Sequence, residues 1–329
     1  MPLPTFSVIL PKRADDSSEQ AIQAILCSDY PRERLEILEA IGNAPSRQRN
    51  QAAAAAHGDV LYFLDNDSIV TPTLFTQVAR HYADDAPDSV VGVGGPNLTP
   101  ETDTFVQQLA GYALASPFAH FKMAARYIPL GSVRDAGEQE LILCNLSVRR
   151  DVFLQEGGFN ETLYPNEENE LINRLRKKGF RWRYDPRALI YRSRRARFAD
   201  FLRQLFSYGR GRTEQMRVEG VSLKSLLCLL PVGLLAYLAL LPIVGTWLGG
   251  LAFIPLMIYG AGAGLSALIQ AGIQHQKWRL VPLLPMWYLL MHSAYGAGVL
   301  RGWLAPRDIQ PGAASGAIQV ITRKSLGKG

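Results

Sequence analysis

Apolar and polar residues alternate in blocks along the first two hundred residues of the chain, and each block has the length of a strand or a helix. Short apolar runs at residues 6–11, 35–41, 60–64 and 89–93 predict buried strands, and a proline closes the first run. Segments in which apolar residues recur at helical spacing separate these runs. Strands that alternate with helices predict an α/β fold with a mostly parallel sheet.

The second part of the chain is far more apolar than the first. No Asp, Glu, Lys or Arg lies between Lys224 and Lys277, and a second uncharged run follows at residues 280–300. A helix that spans a bilayer needs about 20 apolar residues. The pattern therefore predicts about three membrane helices, near residues 226–244, 248–269 and 280–300.

Charge is unevenly distributed along the chain. The formal net charge is +6, and nine arginine and lysine residues lie between Arg192 and Lys224, directly before the first apolar run. The positive-inside rule places this stretch in the cytoplasm, where it also suits anionic lipid headgroups. Because the cluster adjoins a membrane segment, nucleic acid is not an expected partner. The three cysteines are far apart and form no metal or disulfide pattern, which is typical of a reducing compartment.

Candidate chemistry centres on Asp65-Asn66-Asp67, which follows the third predicted strand. Open α/β sheets bind ligands at the carboxyl ends of their strands. Two carboxylates at such an edge can hold a divalent cation, Mg²⁺ or Mn²⁺, which neutralises a departing diphosphate. Taken alone, the motif is weak evidence and is more typical of a solvated turn after a strand.

The surroundings of these aspartates resemble the family 2 glycosyltransferases with a GT-A fold. The resemblance covers about the first two hundred residues and rests on four segments in order: residues 7–11, 49–67, 145–160 and 166–171. The last of these, Asn-Glu-Glu-Asn-Glu-Leu, is similar to the acidic signature of the family. The resemblance implies a GT-A domain, a nucleotide-sugar donor and transfer with inversion.

On the donor side, the resemblance assigns roles residue by residue. Asp67 would be the main metal ligand, and Asp65 would contact the metal, its bound water or the ribose. Arg49 would lie near the nucleotide, and Pro11, at the end of the first strand, is grouped with the donor-binding residues. In many relatives, paired aspartates after the second strand recognise the nucleobase of the donor. At that place this chain has only Glu39.

The catalytic base falls in the acidic segment. Glu168 occupies the place of the family's catalytic aspartate and would remove the proton of the acceptor hydroxyl. Since glutamate is one methylene longer than aspartate, Glu167 and Glu168 both remain candidates. A charged helix start that complements the helix dipole is the structural alternative for both residues.

Acceptor-side residues are also implied by the resemblance. Asn145 opens one of the matching segments. Processive relatives carry a Gln-x-x-Arg-Trp motif before the membrane segment. Gln204 and Tyr208 keep its glutamine and an aromatic residue, but the arginine is missing. These two residues could contact the acceptor, or they could simply belong to an amphipathic helix at the membrane interface. Arg210 would meet a diphosphate, a lipid phosphate or simply the lipid surface.

The expected organisation is a GT-A domain at residues 1–197, a basic interface segment at 198–224, transmembrane helices at 225–304 and a flexible tail at 305–329. Alternating glycine and alanine at residues 260–264 would suit close helix packing or a homo-oligomer. The first residues show a strand-like run and no charged-then-apolar signal pattern, so the catalytic domain is expected on the cytoplasmic side of the inner membrane, anchored by several spans.

The expected function is that of an inverting, metal-dependent hexosyltransferase. The donor would be a UDP-sugar ahead of a GDP-sugar, and the acceptor a polyprenyl-linked glycan in exopolysaccharide or envelope synthesis. The alternatives are a processive polysaccharide synthase and, from another class, an inactive membrane scaffold that retains the fold.

Overall fold

The computed structural model describes residues 3–83, 90–221, 227–305 and 317–327, and the chain forms two compact units. Predicted features at Lys224 and at residues 306–316 lie outside this description. The first unit combines residues 1–100, 125–192 and 309–329, and the second combines residues 101–124 and 193–308.

Eleven strands are found among the described residues: β1 Phe6–Lys12, β2 Leu35–Ile41, β3 Val60–Leu64, β4 Ile69–Val70, β5 Val90–Gly94, β6 Asn97–Leu98, β7 Arg134–Ala136, β8 Asn145–Arg149, β9 Arg181–Tyr184, β10 Ile190–Tyr191 and β11 Gln319–Lys324. The α-helices described are α1 Glu19–Leu26, α2 Pro45–Ala55, α3 Leu74–Ala79, α4 Phe105–Leu114, α5 Pro117–His120, α6 Arg150–Gln155, α7 Glu167–Lys177, α8 Phe198–Glu219, α9 Leu229–Leu248, α10 Ile254–Ala267 and α11 Leu284–Leu304.

The first unit is built on an eight-stranded sheet in the order β11-β2-β1-β3-β8-β5-β9-β7. The predicted α/β class is confirmed. The pairing is mixed, however: β2-β1-β3 and β5-β9 are parallel, whereas β8 runs antiparallel between β3 and β5. The expectation of a mostly parallel sheet failed at β8, because a buried apolar run has the same composition in either direction. It also failed at β7 and β11, which pair antiparallel with β9 and β2.

Both faces of this sheet are covered. Successive residues of β1 point to opposite faces, so Val8 packs in one apolar cluster and Ile9 in the other. Tyr62 and Phe63 of β3 divide in the same way. A strand buried on both faces is rigid, and the residues that follow β3 are therefore held at a fixed position on the sheet edge.

The tail differs from its predicted flexibility. Gln319–Lys324 forms β11, which pairs antiparallel with the outer edge of β2. Val320 packs against one of the two apolar clusters, and Arg323 forms an ion pair with Glu39 of β2. These contacts order a segment whose flanking Gly/Ser/Ala composition predicts mobility.

Helices α8 and α11 pack closely in the second unit. A Cβ atom on Gly209 would lie 2.1 Å from the carbonyl oxygen of Tyr295, and one on Gly298 would lie 2.0 Å from that of Phe206. Only glycine permits this approach, as is common where helices pack in membranes. Helix α8 runs from Phe198 to Glu219, within the predicted basic interface segment at 198–224.

One helical stretch within the described ranges, Leu229–Gln274, is long and apolar enough to cross a membrane, with a mean hydropathy of 2.1 over its most apolar part. None of that part is buried inside the protein, and Trp247 is 84% exposed. Gly249, at φ +54°, ends α9, so the stretch is not one straight helix. Three membrane spans were predicted, but α11 does not meet the same requirement of length and mean hydropathy.

Candidate active site

The two aspartates lie in a tight turn directly after β3. The backbone N–H of Asp65 donates to the Ser68 hydroxyl at 3.2 Å, and the N–H of Ser68 donates back to the Asp65 carbonyl at 3.0 Å. These bonds fix the turn on the rigid end of β3. The Asp65 side chain is 20% exposed and that of Asp67 is 50% exposed.

Arg192 joins both aspartates. The turn leads into β4, and β10 pairs antiparallel with β4 so that Tyr191 lies opposite Ile69. The residue after β10 therefore lies beside the turn. The guanidinium of Arg192 places Nη1 2.9 Å from Asp65 Oδ2 and Nε 2.6 Å from Asp67 Oδ1. Burial would lower the pKa of Arg192, but the two carboxylates hold it well above its ordinary value.

Arg49 connects the aspartate turn to the acidic helix start. It lies on α2, with Nη2 3.2 Å from Asp65 Oδ1 and Nη1 3.0 Å from Glu167 Oε1. Arg49 and Glu167 are both almost fully buried, which strengthens the charge interaction between them. The structure thus brings Arg49, Asp65, Asp67 and Glu167 together, all of which were candidates from the sequence.

The start of α7 presents two adjacent carboxylates in different surroundings. Asn166 precedes the helix in the left-handed region, at φ +90°, which asparagine tolerates better than most residues. Burial raises the pKa of Glu167 to about 7, since the lowering effect of Arg49 is smaller and Glu168 adds repulsion. Glu168 is 10% exposed and lies 3.8 Å from Arg126, which also bonds Asn169.

Glu39 occupies a second charged pocket, at the β2 edge of the sheet. It is buried and accepts hydrogen bonds from Ser18 and Arg323, with Lys12 at 3.5 Å. Burial would raise the pKa of Glu39, but these three partners together lower it. Pro11 is buried in β1 opposite Ala40.

The acceptor-side candidates are not part of this cluster. Asn145 is fully buried, and its amide bonds Tyr62, Pro96 and Ala188, so it organises strand ends instead of facing an open cleft. Gln204, Tyr208 and Arg210 lie on α8 of the second unit. There Gln204 donates to the Tyr208 hydroxyl at 2.6 Å, and Arg210 donates to the Ala305 carbonyl at 3.3 Å.

Sequence reasoning missed three arginines of these sites. Arg192 was counted only as one of the basic residues near the membrane, and Arg126 and Arg323 were not considered as site residues. Each reaches its carboxylate through a long-range contact: β10 pairs with β4, the 3-10 helix Phe121–Arg126 lies against α7, and β11 pairs with β2. No local pattern contains that information.

The donor set at the turn fits a divalent cation. Carboxylate oxygens are the ligands that Mg²⁺ and Mn²⁺ prefer, and both aspartates already converge on one cationic group, the guanidinium of Arg192. Within the described ranges, no group of three or more His, Cys, Asp or Glu side chains is placed to hold a metal ion.

Comparison with known proteins defines the class. A glycosyltransferase profile described as glycosyl transferase family group 2 matches residues 60–269, which include the aspartate turn and the acidic helix start. The chain belongs to this family, and the resemblance seen in the sequence is confirmed.

Two curated relatives give the nearer context. The pre-mycofactocin glycosyltransferase of Mycobacterium tuberculosis is 29% identical over 214 residues, which cover 63% of this chain and 42% of that protein. The succinoglycan biosynthesis protein ExoA of Rhizobium meliloti is 32% identical over 158 residues, covering 47% of this chain and 45% of ExoA. The chain thus matches less than half the length of either relative.

A solved structure supports the fold. The mannosyltransferase PcManGT of Pyrobaculum calidifontis, determined in complex with GDP-Man and Mn²⁺, superposes with a TM-score of 0.59 over 92% of this chain and 87% of that one. Identity is 15%, so the likeness concerns the fold alone. It confirms the GT-A fold.

Proposed function

We propose that this chain is an inverting, metal-dependent hexosyltransferase that moves a sugar from a nucleotide-sugar donor to a membrane-associated, polyprenyl-linked acceptor in exopolysaccharide or envelope glycan synthesis. The observation that carries the proposal is the linked set Arg192, Asp65, Arg49 and Glu167, which joins the aspartate turn to the acidic helix within one unit. The family membership and the relation to a succinoglycan biosynthesis protein support it.

The donor would bind at the aspartate turn. A divalent cation held there by Asp67 and Asp65 would supply positive charge to the diphosphate leaving group. Arg49 and Arg192 lie beside the same carboxylates and would add hydrogen bonds to phosphate oxygens, a role that suits the guanidinium fork. A mannosyltransferase of this fold was solved with GDP-Man and Mn²⁺, so GDP-sugars are to be tested beside UDP-sugars.

Glu168 is our choice for the base. Glu167 is held by Arg49 at 3.0 Å and is only 2% exposed, so its carboxylate is engaged. Glu168 is more open, and the guanidinium of Arg126 lies 3.8 Å from it. A carboxylate in this position would accept the proton of the acceptor hydroxyl as that oxygen attacks the anomeric carbon from the side opposite the diphosphate, which gives inversion.

A donor panel tests the activity. Purified protein is incubated with radiolabelled UDP- and GDP-sugars and a bacterial lipid extract, with MnCl₂ or with EDTA. We expect transfer of label to the lipid fraction from one donor, abolished by EDTA and restored by Mn²⁺. Turnover that is equal with and without EDTA would refute the metal requirement, and release of free sugar only would refute the lipid acceptor.

The membrane part of the proposal rests on Leu229–Gln274, which is apolar and unburied, and on the arginines that precede it. These features support anchoring with the catalytic unit on the cytoplasmic side. We expect the protein to stay in the membrane pellet after washing with alkaline carbonate and to be extracted by detergent. Release by carbonate alone would contradict a spanning segment.

A further inference from the structure

Arg192 is the residue at the aspartate turn whose contacts have the clearest consequence for ligand binding. Its guanidinium bonds one oxygen of each aspartate, at 2.9 and 2.6 Å, while Arg49 takes the other oxygen of Asp65. Three of the four carboxylate oxygens therefore already face a guanidinium. Arg192 and Arg49 thus offset the negative charge of the two aspartates, while Arg49 also pairs with Glu167.

A divalent cation at this turn would meet competition. It would have to share carboxylate oxygens with the guanidinium of Arg192 and would add two positive charges beside two arginines. Like charges this close disfavour one another, most strongly where solvent is partly excluded. The side chain of Arg192 is 23% exposed, so water screens the repulsion only in part.

A diphosphate changes this balance. It brings negative oxygens that can bind a cation and a guanidinium at the same time, and arginine binds phosphate through two parallel hydrogen bonds. If Arg192 turns from the aspartates to the diphosphate, the carboxylate oxygens become available to the cation. The backbone of Arg192 need not move, since its N–H is held by the Leu98 carbonyl at 3.0 Å.

We propose that Arg192 couples cation binding to donor binding: it competes with a divalent cation for Asp65 and Asp67, and the donor's diphosphate removes that competition by binding the guanidinium. This inference rests on the proposed function and adds a positioning role for a residue outside the Asp-x-Asp motif. Because coupling is reciprocal, the cation would in turn favour the diphosphate at Arg192.

Mn²⁺ binding measures the coupling without any turnover. Mn²⁺ is titrated into full-length, detergent-solubilised protein and followed by the EPR signal of free Mn²⁺. We expect Arg192→Gln to bind Mn²⁺ about 5-fold or more tightly than the unaltered protein when no nucleotide is present, a size typical of coupling between sites. The Mn²⁺ complexes of UDP and GDP should show the opposite order, with weaker binding to Arg192→Gln. Arg192→Lys keeps the positive charge but loses the two parallel donors of the guanidinium. Its affinities should lie between those of the unaltered protein and of Arg192→Gln.

The matched control is Arg181→Gln. Arg181 also pairs with an aspartate, Asp135, in the first unit, but with neither carboxylate of the turn. The Arg181→Gln substitution should leave the affinities for Mn²⁺ and for the nucleotides unchanged. A thermal melt followed by circular dichroism should show that all variants are folded.

Mn²⁺ affinity in Arg192→Gln that is equal to or below that of the unaltered protein, including no binding by either, would overturn the inference. That outcome is separate from failure of the proposed function, which is measured by the EDTA sensitivity of sugar transfer. A metal-dependent enzyme with unchanged Mn²⁺ affinity in Arg192→Gln would keep the function and lose the coupling.

Discussion

Asp67→Asn should lower kcat/KM by about 100-fold or more, the size of loss seen when an electrostatic contact to a transition state is removed. Asparagine keeps the shape of the side chain but removes the negative charge that would hold the cation. Because charge builds up on the leaving diphosphate as the sugar departs, the loss should fall mainly on kcat. Initial rates over a range of donor and Mn²⁺ concentrations measure it.

Asp135→Asn is a close control for that substitution. The Asp135 side chain is 51% exposed, against 50% for Asp67, and it also accepts from arginines. It lies on β7, at the opposite edge of the sheet from β11. Activity within about 2-fold of the unaltered enzyme is expected. Full activity in Asp67→Asn, or an equal loss in the control, would contradict the metal-ligand role.

Glu168→Gln should lower kcat by about 10²- to 10⁴-fold, the range typical of general acid–base catalysis. Glutamine fills the same space, so the fold and the contact with Arg126 should survive, but its amide cannot accept a proton from the acceptor. Donor binding should change little, because Glu168 forms its ion pair with Arg126 and not with an arginine of the aspartate turn. Single-turnover transfer, together with the Kd of the nucleotide, separates the two effects.

The neighbouring substitution Glu167→Gln distinguishes the two carboxylates. Glu167 holds the guanidinium of Arg49 in position, so its loss should weaken donor binding by leaving Arg49 less firmly placed beside Asp65. We expect a raised KM for the donor with a smaller fall in kcat. An inactive Glu167→Gln beside an active Glu168→Gln would reverse the assignment of the base.

The sequence predicted what depends on local pattern. Strand β3, the turn with Asp65 and Asp67, and the acidic start of α7 follow from apolar runs and from motifs whose residues are adjacent in the chain. The link between them did not follow, since Arg49 reaches Glu167 across 118 positions and Arg192 reaches Asp67 across 125. Such contacts are decided by how strands pair, and composition does not encode that.

Asn145 shows a limit of the motif. The resemblance grouped it with the acceptor side because it opens a matching segment. In the structure this side chain is fully buried and bonds two backbone carbonyls and the Tyr62 hydroxyl. A buried amide must satisfy its hydrogen bonds, which is itself a strong reason for asparagine at that position. A motif position thus identifies an important residue without saying whether it contacts substrate or supports the backbone.

The pairing of β11 with β2 bears on the order of events during synthesis. An edge strand with unpaired backbone groups can pair with other chains and aggregate. On the ribosome, β2 emerges early and β11 emerges last of the described strands, after the whole apolar stretch Leu229–Gln274. The β2 edge therefore has no β11 partner, and Glu39 has no Arg323, while the apolar stretch is made. Nascent chains would be most exposed to misassembly during that interval, and the apolar stretch would be complete before the sheet closes at this edge.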